Sequence, residues 1–203
     1  MTEKASKTSK GSSELLTSKL IKAPHYITTR GFDLNKIDFR QVVTAEQVHS
    51  NRVAVVGKTD LSKTIPGADA LITAEKEVAL AVRTADCVPV FLYDDKTPAV
   101  GLVHAGWRGT AMNITAKTLR TMEKEFGSRP EDVKAWIGPC IKACCYDCDL
   151  VELNLYQLIG SGIEAERVEV SPLCTGCEQS LFYSYRRDGS GTGRLYSLIS
   201  IPI

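Results

Sequence analysis

No stretch of the sequence approaches the roughly 18 consecutive apolar residues of a membrane-spanning helix. Nor is there a surplus of one charge: 25 Lys and Arg stand against 24 Asp and Glu, a net charge of +1. Without a basic excess, the chain is a poor candidate for coating nucleic acid or an anionic membrane. The segment from Met1 to Ser13 is rich in Lys, Ser and Thr and lacks the apolar stretch of a secretory signal. The expected compartment is therefore the cytoplasm, where thiols stay reduced. No internal repeat of 20–50 residues is present, and no Ser/Gly/Pro-rich linker long enough to divide the chain. Its 203 residues suffice for one domain with a full core, and neither disulfides nor a structural metal are required to hold it. Histidine is scarce, with three in all, whereas cysteine is not: seven, an odd count, point to metal, catalysis or burial and not to a disulfide framework.

Residues 1–19 read as a flexible polar tail in which Leu15, Leu16 and Leu20 are too few to bury much. The middle of the chain is strand-like. Tyr26–Thr29 is short and β-branched, and Val53–Val56, Val78–Val82, Val88–Tyr93 and Ala99–Val103 are continuous apolar runs. Runs of this length bounded by turn residues suit strands buried on both faces. Val133–Ile137 and Leu195–Ile201 predict two more. A helix is expected from Thr110 to Phe126, with Met112, Thr115, Leu119, Met122 and Phe126 on one face and Gly127 as its stop. A second is expected from Asp149, a natural N-cap, to Ile159, with Gly160 following. Strands that come first in a block and later alternate with helices favour an α+β fold over a doubly wound sheet.

The chemistry concentrates at strand ends. His49 precedes the Val53 strand, Cys87 closes Thr84-Ala-Asp-Cys87, and His104 ends the Ala99 run. Two neutral imidazoles and a thiolate form a good ligand set for Zn²⁺, with a fourth position left for water or substrate. Such an ion keeps Cys87 deprotonated and makes a bound water more acidic. Asp86 is placed to orient a ligand or take a proton. Spacing alone leaves the alternative open, a buried cysteine and two structural histidines. Gly106-Trp-Arg-Gly-Thr110 leads into a helix and, with Arg108, is either an anion-binding turn or a tight connection with Trp107 in the core. Cys145-Tyr-Asp-Cys148 and Cys174-Thr-Gly-Cys177 nominally match a structural Cys₄ zinc site. The first pair lies where a helix is about to start and neither has a Gly-rich knuckle, so ordinary thiols near a pocket are the favoured reading. Cys140, after a Gly-Pro turn, is expected to line the same cleft. His25 has no partner motif. Tyr183–Arg194 is a basic, aromatic, Gly-rich segment, either a hairpin connection at Asp188-Gly189 or a contact for an anionic ligand.

Taken in order, Gln47-Val-His-Ser50, Ala68-Asp-Ala-Leu-Ile-Thr73, Thr84-Ala-Asp-Cys-Val-Pro-Val90 and Val103-His-Ala-Gly-Trp-Arg-Gly109 resemble the motifs of the YfiH/YlmD family. Ile137-Gly-Pro-Cys-Ile141, Cys145-Tyr146 and Ser184–Arg194 continue the resemblance, which runs from about Ala23 to the C-terminus. It implies one YfiH-like catalytic domain over 20–203, an α+β arrangement of layered β-sheets flanked by helices. It also implies a zinc ion held by His49, Cys87 and His104. Members of the family carry laccase (polyphenol oxidase) and purine nucleoside phosphorylase labels. The resemblance implies phosphorolysis of adenosine, inosine, guanosine and methylthioadenosine, together with deamination of adenosine. A bacterial branch is linked to peptidoglycan-precursor editing. Copper oxidation fits badly, because a multicopper cluster needs many more than three histidines and no axial Met is evident.

One departure stands out. The stretch between Thr29-Arg30 and Gln47 is shorter than the family's and carries Asp33, Asn35 and Arg40 in place of its usual Asn-containing motifs. On this reading Cys87, Asp86 and His104 are catalytic, and Arg30, Arg108, Cys140 and Arg194 bind nucleoside or phosphate, with the chain a monomer or homodimer. The rival readings are a cysteine hydrolase with Cys87 as nucleophile and His104 as base, and a zinc protein without turnover.

Overall fold

The computed structural model describes residues 15–202. Its strands are β1 (Leu15–Leu16), β2 (His25–Thr28), β3 (Val42–Ala45), β4 (Val53–Val55), β5 (Thr64–Ile65), β6 (Ala70–Thr73), β7 (Ala79–Thr84), β8 (Val88–Asp94), β9 (Ala99–Ala105), β10 (Val133–Ile137), β11 (Val168–Val170) and β12 (Leu195–Ser200). The helices are α1 (Trp107–Ala111), α2 (Ile114–Phe126), α3 (Leu150–Gly160) and α4 (Tyr185–Asp188). The strands form two six-stranded sheets, in the orders β1-β2-β12-β7-β3-β5 and β11-β10-β8-β9-β6-β4. The fold is α+β and layered, as expected.

The two sheets face each other across a core in which Ile27, Val43, Leu80, Val82 and Ile199 of the first meet Leu71, Phe91, Val100, Leu102 and Trp136 of the second. The second sheet's other face packs Ile72, Val90, Leu92 and Val103 against Ile114, Leu119 and Met122 of α2 and Leu150 and Leu158 of α3. Every residue of β8 and β9 is therefore buried, so the pattern that would alternate in a one-sided sheet becomes a continuous apolar run. Gly101 lets α2 pack close against β9: a Cβ there would lie 3.0 Å from the Met122 sulfur. No helix among the described residues is long and apolar enough to cross a membrane.

The helix expected from Thr110 to Phe126 is broken. α1 ends at Ala111 with Met112 as its C-cap, and Asn113 takes a left-handed conformation (φ 57°, ψ 43°) before α2 begins. The break leaves α2 without a side-chain cap of its own, and α3 supplies one. Gln157 Oε1 accepts from the Thr115 and Ala116 backbone N–H groups at 3.2 and 3.3 Å, and its amide donates to Thr110 O at 2.8 Å. Buried Asn154 adds side-chain bonds to Thr115 and Thr110. Gly127 stops α2 with φ +76°, and Asp149 caps α3 by accepting from Glu152 N, both as the sequence indicates.

The tail boundary needs correcting. Residues 1–14 of the expected tail lie outside the described residues, but residues 15–19 are built into the fold. Leu15 and Leu16 pair with Thr28 and Ile27 at the sheet edge. The Glu169 carboxylate accepts from Ser18 Oγ at 2.7 Å and from Lys19 N at 2.8 Å. An unpaired strand edge and one carboxylate thus supply the order that side-chain hydrophobicity does not.

Ser18 also secures His25. Its backbone N–H donates to His25 Nε2 at 2.8 Å, which leaves Nδ1–H to donate to Ala23 O at 2.7 Å. Burial lowers the His25 pKa, outweighing the opposing influence of the Ala23 carbonyl and Glu169. The folded protein therefore binds this proton more weakly than the unfolded chain does. Stability is full above the unfolded value of about 6.5 and falls with decreasing pH, at up to about 1.4 kcal/mol per pH unit. Urea unfolding between pH 7.5 and 5.5 should show this loss in the wild type and a flatter profile in His25→Gln. Parallel profiles would contradict it.

Candidate metal centre and cleft

Strand register brings the site together. In the β8–β9 pair Pro89 stands opposite His104 and Val88 opposite Ala105, so Cys87, one residue before β8, lies beside the end of β9. On the other side β6 pairs Ala70 with Val103, which sets Asp69 next to His104; His104 N donates to Asp69 O at 2.8 Å. His49 comes from the loop between β3 and β4. Ligand atoms of His49, Cys87 and His104 all lie within 4.8 Å of one another, and the two imidazole centroids are 4.9 Å apart.

The His49 loop is held in an unusual backbone conformation. Gln47 and His49 have φ of 67° and 62°, and Asp86 beside Cys87 has φ 95°. Non-glycine residues persist there only where surrounding bonds fix them, and such positions concentrate at functional sites. The Gln47 amide makes both bonds to the Arg83 backbone, at 2.6 and 2.8 Å. The buried Asp69 carboxylate takes N–H bonds from Val48, His49 and Ser50 and the Ser50 hydroxyl, all between 2.7 and 3.2 Å. The same carboxylate meets His104 Nδ1 at 2.8 Å, which directs the opposite ring nitrogen toward the cluster. Burial raises the Asp69 pKa, but the bonds from His104 and Ser50 outweigh it and keep the group below its ordinary value.

The thiol and imidazole are polarised toward each other. Burial raises the Cys87 pKa, yet hydrogen bonds with His104 and His49 bring it down to about 6. Burial lowers that of His104, yet Asp69 and Cys87 bring it up to about 9. A thiolate flanked by two imidazoles is the donor set of a divalent transition metal. Gly106 lets α1 start against it, since a Cβ there would lie 3.2 Å from both Cys87 Sγ and His49 Cδ2. The residues present therefore fit a metal ion.

One side of the cluster opens into a cleft of about 650 Å³, within the range of small-molecule sites. Asp86, Trp107, Arg108, Tyr146, Tyr185, Arg186 and Arg194 line it with His49 and Cys87. Trp107 and Tyr185 are 52% and 55% exposed. Trp107 is thus a ring of the cleft and not of the core.

The expected site residues divide. Asp86, Arg108 and Arg194 reach the cleft. The Asp86 carboxylate accepts from Thr175 Oγ1 and Arg186 N, both at 2.7 Å, and the carboxylate that meets a histidine of the cluster is that of Asp69. Arg30 lies outside the cleft lining: its guanidinium stacks over Tyr183 at 5.0 Å, donates to Gln179 O and faces Asp188 at 3.9 Å. Cys140 does not line the cleft either. It is fully buried, its thiol is pushed up to about 12 by burial, and its backbone forms an isolated parallel β-bridge with that of Cys174. Asp33, Asn35 and Arg40 of the short segment are exposed. Tyr183–Arg194 is no hairpin: Ser184 caps the short helix α4, which carries Tyr185 and Arg186 into the cleft. Sequence reasoning missed Asp69, Tyr146, Tyr185 and Arg186 as individual contributors, although each lies in a segment that carries the resemblance.

A family model described as multi-copper polyphenol oxidoreductase laccase matches residues 28–149 and 147–202. The chain belongs to this family. A relative named purine nucleoside phosphorylase YlmD, from Bacillus subtilis (strain 168), is 37% identical over 83% of this chain and 74% of its own. Another, adenosine deaminase RL5 from an unknown prokaryotic organism, is 28% identical over 79% and 75%. Among solved structures, YlmD from Geobacillus stearothermophilus matches with a TM-score of 0.85 and 28% identity, over 91% of this chain and 93% of that one. Bacillus licheniformis YfiH matches with a TM-score of 0.82 and 30% identity, over 88% and 92%. The family's laccase description does not fit the donor set here. Of the chain's three histidines, His25 is committed to Ser18 and Ala23, which leaves two imidazoles where a multicopper cluster needs many.

Proposed function

We propose that the chain is a zinc-dependent purine nucleoside phosphorylase that also deaminates adenosine, working in the cytoplasm. The observation that carries this reading is the convergence of His49, Cys87 and His104 on the wall of a cleft that also offers exposed aromatic rings and three arginines. The names of the relatives, phosphorylases and an adenosine deaminase, support it.

His49, Cys87 and His104 would hold the zinc ion. When bound, zinc supplies a Lewis acid with one position open to a reactant. The chain's own side chains do the rest. Trp107 and Tyr185 offer flat, half-open faces on which a purine stacks. Arg108, Arg186 and Arg194 bring guanidinium groups to the cleft, suited to the fork geometry of phosphate. In phosphorolysis a phosphate oxygen bonds to the ribose C1′ as the bond to the purine breaks, and the purine nitrogen must gain a proton. In deamination water adds at C6 and ammonia leaves. Asp86 is fixed by Thr175 and the Arg186 backbone, lines the cleft, and is the group assigned to proton transfer.

The reading is tested by incubating the purified, zinc-loaded chain with adenosine and inosine, with and without phosphate. Free base should form only with phosphate, and inosine should form from adenosine without it. Chelation should abolish both before the melting temperature falls, and zinc should restore them. A zinc-loaded protein that does neither reaction would overturn the proposal.

A further inference from the structure

Four of the seven cysteines gather outside the cleft-side cluster. Sulfurs of Cys144, Cys145, Cys174 and Cys177 all lie within 4.8 Å of one another. Cys177 Sγ is 3.5 Å from Cys144 Sγ and 3.4 Å from Cys145 Sγ, and all four are free thiols. The grouping differs from the one spacing suggests: Cys148 stands outside it, exposed, and Cys144 takes the place beside Cys145. We propose that these four cysteines hold a second zinc ion as a tetrathiolate site that braces the wall of the cleft.

The geometry suits a single tetrahedral ion. Zinc–sulfur bonds of ~2.3 Å place tetrahedral sulfurs ~3.8 Å apart, so the cage needs only small adjustments to close on one ion. A polynuclear iron–sulfur cluster sets several iron and sulfide atoms between its cysteines and requires a wider cage. Packing gives no other reason for the cluster. Unpaired cysteines are usually buried as small apolar groups, yet Cys144 and Cys177 are exposed and Cys145 is half-buried.

The backbone is already shaped around the sulfurs. Gly176 provides the knuckle the sequence was expected to lack. A Cβ at this position would lie 2.8 Å from Cys145 Cβ and 2.9 Å from Cys145 Sγ, so only glycine lets the two loops meet. Arg187 donates to the carbonyls of Thr175 and Gly176 at 2.8 and 3.2 Å and brings positive charge beside the thiolates.

The consequence for the cleft runs through Thr175. It follows Cys174 in the chain, two residues before Cys177, and donates its hydroxyl to Asp86. Tyr146, next to Cys145, lines the same cleft. An ion that joins the loop after β10 to the loop after β11 therefore fixes both Asp86 and Tyr146. Binding exchanges thiol protons for the metal, with no redox partner required.

The test uses the full chain, reduced, loaded with zinc and passed over a weak chelating resin. Metal analysis should find two zinc ions per wild-type chain and one in Cys87→Ala, where the four-cysteine cluster is untouched. X-ray absorption at the zinc edge of Cys87→Ala should show sulfur neighbours alone. Adding Cys144→Ser and Cys177→Ser to that variant should reduce zinc to none. The proposal is overturned if Cys87→Ala holds no zinc, holds iron instead, or shows nitrogen or oxygen around its zinc. It is equally overturned if intact mass shows the four thiols joined in disulfides under the same conditions. A wild type with one zinc bound by four sulfurs would sustain this site and count against the cleft-side centre, so the two claims fail separately.

Discussion

Replacing Cys87 with Ala is expected to remove one zinc ion per chain and to lower nucleoside turnover at least about 10³-fold, with the far-UV spectrum unchanged. Lewis-acid stabilisation of developing charge is worth several kcal/mol, which sets that scale. The fold should survive because Cys87 lies on the wall of the cleft, outside both main cores. His104→Ala should do the same. His49→Ala separates the metal account from a cysteine nucleophile. In a Cys87–His104 hydrolase His49 only helps to favour the thiolate and its loss changes no metal content, whereas a three-ligand ion loses its hold without it. Metal analysis beside steady-state kinetics for the three variants decides the matter. Wild-type turnover by a zinc-free Cys87→Ala protein would rule out catalytic zinc.

The second large effect belongs to Asp69. Its carboxylate collects three backbone N–H groups, the Ser50 hydroxyl and His104 Nδ1 at a fully buried position. In Asp69→Ala those donors lose their acceptor together. Breaking a buried charged network costs about 3–5 kcal/mol, equivalent to a fall of roughly 6–20 °C in melting temperature for a chain of this size. Zinc affinity at the cleft should weaken about 10–100-fold, the usual cost of losing the group that orients a ligating imidazole. Asp69→Asn keeps the volume but sets amide hydrogens against donors, so it should lose affinity with a smaller loss of stability. Calorimetry and a competitive zinc titration measure the two effects. Unchanged affinity in Asp69→Ala would mean that His104 is not oriented through Nδ1.

The pattern of what could be read in advance follows from where burial comes from. β8 and β9 are apolar at every position because a sheet covers one face and helices the other, and they were legible as runs. Ala70–Thr73 is equally buried and Val42–Ala45 is so except at Thr44, but four residues are too short a pattern to separate from a packed loop. Val168–Val170 is half-buried at a sheet edge and leaves no run at all. The break at Asn113 is invisible to periodicity because its compensation comes from Gln157 on another helix.

The candidate site divides in the same way. His49, Cys87 and His104 could be suggested from their residue types at strand ends, and strand pairing then brings them together. Asp69 looks like any loop aspartate until the His49 loop folds over it. Arg30 and Cys140 lie within the span of the resemblance, but one is turned toward Tyr183 and Asp188 and the other is fully buried. In the four-cysteine cluster, C-x-x-C spacing identifies Cys174 and Cys177 correctly. It misleads for the other pair, because the turn before α3 presents the adjacent residues Cys144 and Cys145 and leaves Cys148 outside.

Crystals of the zinc-loaded protein, measured with X-rays just above and just below the zinc absorption edge, address the central claim most directly. The account predicts an anomalous peak bounded by His49, Cys87 and His104 on the wall of the cleft, vanishing below the edge. The contradictory result is a fully zinc-loaded crystal with no peak among those three side chains, or a peak there that follows the copper edge instead.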